Sequence, residues 1–196
     1  MLKRWTDRWV QKMIANGVIE QERAPLYAFG MEQGVRTLLE IILMLITSAV
    51  LGLFFQGVVM MLSFCPIRAY AGGYHAKTPL QCALKSWLMF TAFLLWLRFM
   101  PSYIILQIVV LIVTGIFLVF LCPMPDEHRP LEDFEVPRYR KYSFILYSME
   151  VIFYIAGFFI WKENLSRSII CGMGMLLVVW CTYLIKKAFE KKKNEK

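Results

Sequence analysis

Six stretches of the chain are apolar for long enough to read as membrane crossings: roughly 37–55, 58–70, 80–99, 103–122, 144–161 and 168–185. A helix rises about 1.5 Å per residue, so about twenty apolar residues span a hydrocarbon core. The second stretch is short and ends polar. Tight breaks fall at Gln56-Gly57 and at Met100-Pro101-Ser102, and the longest polar interruption runs from Cys122 to Tyr142. Ahead of the first stretch, residues 1–16 place Leu2, Trp5, Trp9, Val10, Met13 and Ile14 on one helical face. Lys3, Arg4, Asp7, Arg8 and Lys12 take the other. This pattern predicts a basic amphipathic helix lying in the membrane interface, with Asn16-Gly17 as its stop. A second short helix is expected to start at Pro25 and to run through Gly30 and Gly34 into the first span.

The expected architecture is an all-α integral membrane protein of about six transmembrane helices with an N-terminal amphipathic interfacial helix. It forms a single domain over 1–196, divided into interfacial helices (1–36), a transmembrane bundle (37–185) and a basic cytoplasmic tail (186–196). Composition agrees: 59% of residues are hydrophobic, above the usual half for soluble domains. The mixed residues before the first apolar run lack the short basic region and small-residue cleavage site of a signal peptide, so the apolar segments are read as the fold itself. The net charge of +8 is first a matter of topology and lipid headgroups, and no nucleic-acid partner is expected. Six crossings put both termini, the loop near residue 75 and the 122–142 loop on one side. That side then holds 19 of the 22 Lys and Arg residues, leaving Arg98, Lys162 and Arg167 on the other. The positive-inside bias makes the richer side cytoplasmic.

The five cysteines show no CxxC, and the two histidines, His75 and His128, are too few for a zinc site, so no metal and no cofactor is expected. The polar stretch "AGGYHAKTPLQC", from Ala71 to Cys82, carries the candidate chemistry. Thr78-Pro79-Leu80-Gln81 reads as a helix start with cap, first-position proline and capping-box glutamine. Cys82 then falls in the first turn or so, near the positive end of the helix dipole, a place that favours the nucleophilic thiolate. In one straight helix His75 would sit on the same face as Cys82 but about 10 Å away, too far for proton transfer. With the helix broken at Thr78, His75 can fold back, and Gly72 and Gly73 permit the tight turn. A packing cysteine and a polar loop histidine are the plainer alternative.

The segment "RAYAGGYHAKTPLQC" closely resembles the signature of the accessory gene regulator protein B (AgrB) family. That signature runs arginine, Gly-Gly-x-His, six residues, then cysteine, and is matched here at Arg68, Gly72, Gly73, His75 and Cys82. "GVIEQERAPLYAFGMEQGVRTLLE" is similar to the family's N-terminal segment, and "RPL" at 129–131 to its polar loop, with His128-Arg129 where the family is often lysine-rich. The resemblance implies a membrane cysteine endopeptidase that processes a small AgrD-like precursor peptide. His75 and Cys82 would be catalytic, with Arg68, Gly72, Gly73 and Glu150 supporting. Lys77 and Arg129, with Arg138, Arg140 and Lys141, would meet the precursor's acidic tail. It also implies a homodimer in the bacterial cell membrane, active site inward, and a thiolactone or lactone product for quorum sensing. Glu150, well inside the fifth span, is a costly residue at membrane depth; it is a candidate to orient His75 or to pair with Arg68, and Glu40 is expected to pair with Arg36.

Two other readings compete: a small membrane transporter without peptidase activity, and a structural adaptor. Cys82→Ser and His75→Ala separate them. Both are expected to abolish precursor cleavage, followed by mass spectrometry of the peptide; a carrier would tolerate the serine, and an adaptor both changes.

Overall fold

The computed structural model describes residues 2–73, 78–124, 134–160 and 163–194. Its helices are α1 (Leu2–Ala15), α2 (Ala24–Val50), α3 (Phe54–Ala71), α4 (Pro79–Phe99), α5 (Ile104–Leu121), α6 (Glu135–Ile160) and α7 (Glu163–Asn194). Six of them, α2 to α7, are long and apolar enough to cross a membrane. The short second stretch is thus a helix of 18 residues, because the chain turns at Gly52 and not at Gln56-Gly57. Gly52 takes φ 67° and the amide of Leu53 reaches back to the Ser48 carbonyl at 2.8 Å, a helix-ending turn that favours glycine. Gly57 serves packing instead: a Cβ there would lie 2.5 Å from that of Ser48. The break at Met100-Pro101-Ser102 stands where the sequence places it. The residues expected to form a second interfacial helix and the first span are one helix, and the lysine-rich tail is helical as far as Asn194.

The chain forms two compact units, Met1–Met44 and Leu45–Lys196. In the first, Thr6 and Val10 of α1 are buried while Trp5 and Trp9 stay half exposed. The two indole rings lie 5.8 Å apart, and the Lys12 ammonium sits 5.3 Å from the Trp9 ring centre. Arg36 pairs with Glu32, one turn earlier, and not with Glu40 as expected. An acid four residues before its base is the favourable orientation on a helix. Glu40 keeps one buried carboxylate oxygen without a hydrogen-bond partner among the described residues.

In the second unit α7 is the central post. Its apolar window is 56% buried, against 33% or less for α3 to α6. It packs on α3, α4, α5 and α6, most extensively on α3. Gly172 allows that pairing: a Cβ there would come within 2.8 Å of the Met60 carbonyl oxygen and 2.7 Å of the Ser63 Cβ. Small residues that let helix backbones touch are the usual route to tight packing in lipid. A buried cluster of Ile67, Ala71, Leu118, Cys122, Met124, Leu176 and Trp180 closes the end of this unit that carries Gly72 and Gly73. Gly172→Ala is expected to destabilise the bundle by about 1–3 kcal/mol through overpacking, read as earlier unfolding of the detergent-solubilised protein.

Candidate active site

The α3 helix ends on Arg68-Ala69-Tyr70-Ala71, and the chain leaves it through two glycines with φ 73° and 128°. Gly72, with ψ −159°, occupies a region open essentially to glycine alone. Space demands glycine as well. A Cβ on Gly72 would lie 2.2 Å from the Met124 carbonyl oxygen. The two residues form an isolated bridge, and the Met124 amide donates to the Ala71 carbonyl at 2.9 Å. From the other side, the indole N–H of Trp180 donates to the Gly72 carbonyl at 3.3 Å. Trp180 is fully buried and stacks on Phe117, ring centres 5.9 Å apart. A Cβ on Gly73 would meet the Arg68 guanidinium and Val179 at 3.0 Å and the Trp180 ring at 3.1 Å. The structure therefore brings Arg68, Gly72 and Gly73 together and holds them between α7 and the segment after α5.

The α4 helix starts as the sequence predicts. Thr78 is extended (φ −126°, ψ 146°), Pro79 takes the first helical position, and the Gln81 amide donates to Thr78 Oγ1 at 3.3 Å. The amide of Cys82 then donates to the Thr78 carbonyl at 3.0 Å, the first regular bond of the helix. Cys82 is half-buried in that opening turn. Cys122 and Cys171 are buried. Burial pushes the Cys122 thiol up to about 12, only partly offset by the Arg140 guanidinium, so Cys122 stays a neutral packing thiol. Among the described residues no cluster of His, Cys, Asp or Glu could hold a metal.

The candidate cations divide. Arg140 donates through Nε to the Cys122 carbonyl at 3.1 Å and through Nη2 towards that of Val119 at 3.5 Å, which caps the end of α5. Arg138 lies over the Tyr142 ring, 5.8 Å from its centre, and Tyr70 at the end of α3 packs on both Tyr139 and Tyr142. Lys141 is exposed. Glu150 is buried, and its described hydrogen bond is to Ser63, Oγ to Oε2 2.6 Å. His75, Lys77 and Arg129 lie outside the described residues. Sequence reasoning did not find Trp180, Met124 or Ser63. Each sits in or beside an apolar run, and nothing in its spacing separates it from a packing residue.

Trp180→Phe keeps the ring stack but leaves the Gly72 carbonyl without its donor. It is expected to cost about 1–3 kcal/mol, as a buried polar group left unpaired does. Gly72→Ala is expected to cost more, since it adds both strain and overlap. Unfolding of the purified variants in detergent measures both.

No curated protein and no solved structure matches the chain. The Accessory gene regulator B family matches it over residues 6–185, a stretch that takes in the Arg68–Cys82 motif, the first five apolar helices and the sixth as far as residue 185. That family comprises membrane peptidases involved in AgrD processing. With its six membrane-length helices, its glycine-locked turn and its cysteine at a helix start, the chain belongs to the accessory gene regulator B family.

Proposed function

We propose that this protein is a membrane cysteine endopeptidase that removes the acidic C-terminal tail of an AgrD-like precursor and cyclises what remains. The observation that carries this is the Arg68, Gly72-Gly73, His75, Cys82 pattern within the family match, with Cys82 in the opening turn of α4. His75 takes the Cys82 thiol proton. The thiolate attacks the peptide carbonyl that joins the central segment to the tail. The C–N bond breaks, His75 returns the proton to the departing amine, and a thioester remains on Cys82. An internal Cys or Ser of the precursor then attacks that thioester, closes a thiolactone or lactone ring and frees the thiol.

Exchange of one thioester for another is nearly isoenergetic, so cyclisation requires that water be kept from the acyl-enzyme. A site recessed at headgroup depth provides this. The turn at Gly72 and Gly73 is fixed in the protein itself, which favours an attack geometry set before substrate binds. Arg68, beside Gly73, together with Lys77, Arg129, Arg138 and Lys141, offers positive charge for the acidic tail. The active site and both termini face the cytoplasm, on the positive-inside argument, and the protein works as a homodimer.

Intact-mass analysis of the detergent-purified protein with its cognate precursor tests this, with Cys82→Ala as control. The expected result is an adduct on Cys82 equal to the precursor less its tail. Release of a product one water lighter than the linear fragment follows. Tail release with linear product alone would leave a protease without cyclisation. A folded protein that gives no adduct and no cleavage would overturn the reading.

A further inference from the structure

Three helices meet at one hydroxyl. Ser63 Oγ on α3 lies 2.6 Å from Glu150 Oε2 on α6 and 3.1 Å from the Ile169 carbonyl oxygen on α7. All three residues are buried. A serine hydroxyl has one proton to give, while a carboxylate and a carbonyl only accept. Were Glu150 ionised, that one proton would face two acceptors, and one of the two contacts would have no proton in it. With a proton on Glu150 the count closes: Glu150 donates to Ser63, and Ser63 donates to Ile169. The 2.6 Å separation is in the short range for an O–H···O bond. The Ile169 carbonyl has a second lone pair, so it takes this bond beside its helical one. The two tyrosine hydroxyls nearest Glu150 in sequence on α6 are committed elsewhere. Tyr147 donates to the Leu111 carbonyl at 2.8 Å and Tyr154 to Gln107 at 3.1 Å, both on α5.

We propose that Glu150 is a neutral carboxylic acid at the head of a Glu150→Ser63→Ile169 hydrogen-bond relay, and that the relay is a positioning device for the Gly72-Gly73 turn. The positioning half rests on the cysteine-peptidase reading. The relay sits at the close approach of α3 and α7 at Gly172. Ser63 is nine residues before Gly72 on α3, and Ile169 eleven before Trp180 on α7. At 1.5 Å per residue those distances are about 14 and 16 Å. The Trp180–Gly72 bond is thus the far end of the same two rods. Apolar packing between membrane helices tolerates small slips and rotations, whereas directional hydrogen bonds do not. A slip at the relay is carried along both helices and arrives at the turn as a displacement. Glu150 acts in this way through Ser63, and not as a charged partner of His75 or Arg68.

Two measurements test it. The first is the infrared difference spectrum of wild type against Glu150→Gln at neutral pH. It is expected to contain the C=O stretch of a protonated acid and no carboxylate bands. The second is the single-turnover rate of Cys82 acylation by the cognate precursor in the wild type, Glu150→Gln, Glu150→Leu and Ser63→Ala, each compared as folded protein. Glutamine keeps a donor for Ser63, so Glu150→Gln is expected to stay within about threefold of wild type, while the other two fall by about tenfold or more as buried groups lose their partners. Carboxylate bands in the difference spectrum would overturn the proton assignment. A Glu150→Gln rate as low as that of Glu150→Leu, or a wild-type rate in Ser63→Ala, would overturn the positioning role. A wild type that never acylates would remove the peptidase reading and the positioning role with it, and the infrared result would still decide the proton.

Discussion

The hydrogen bond from the Trp180 indole to the Gly72 carbonyl joins the last helix to the turn ahead of the candidate histidine. Much of the site depends on it. Gly72 holds a conformation that other residues avoid, and such a conformation persists only where its surroundings fix it. The fixing comes from two sides, Trp180 on α7 and the backbone of Met124 after α5. Three segments far apart in sequence therefore converge on one turn. The α7 helix can serve as the anchor because it is the most buried helix of its unit and packs on α3 to α6.

The arginines follow a second constraint. Carbonyls at a helix C-terminus have no partner in the helix, and at membrane depth no water replaces one. Arg140 caps α5. At the opposite end of the unit, Arg98 donates to the Leu51 carbonyl beyond α2. Arg167 donates to the carbonyls of Leu97 and Met100 at 3.0 and 2.5 Å, where α4 ends. Part of the positive charge that reads as topology or substrate attraction is thus built into the fold. Arg98 and Arg167, on the side that positive-inside sorting leaves poor in cations, have a local reason to be there.

The membrane class and the number of spans were legible because twenty-residue hydropathy needs no tertiary information. The start of α4 was legible for a different reason: threonine, proline and glutamine at fixed offsets have a local physical meaning, and Thr78 caps as that meaning requires. The turn before α3 was misplaced because two glycines, Gly52 and Gly57, look alike in sequence; one turns the chain and the other admits a neighbouring side chain. Arg36 had acids four residues away on both sides, and helix geometry favours the earlier one. The resemblance to the family signature singled out Arg68, Gly72 and Gly73 as a group, but their clamp stayed hidden. Trp180 and Met124 act through one indole N–H and one main-chain bridge, and apolar periodicity records neither.

The bridge between Gly72 and Met124 is made of main-chain atoms on both sides. The two positions are consequently unequal under sequence drift. At 72 the backbone conformation and the 2.2 Å approach leave room for glycine alone. At 124 the chain contributes an amide and a carbonyl that every non-proline residue has, so the side chain need only be apolar enough for its buried place. The residue at 124 can therefore change while its main-chain attachment to the Gly72 turn stays the same.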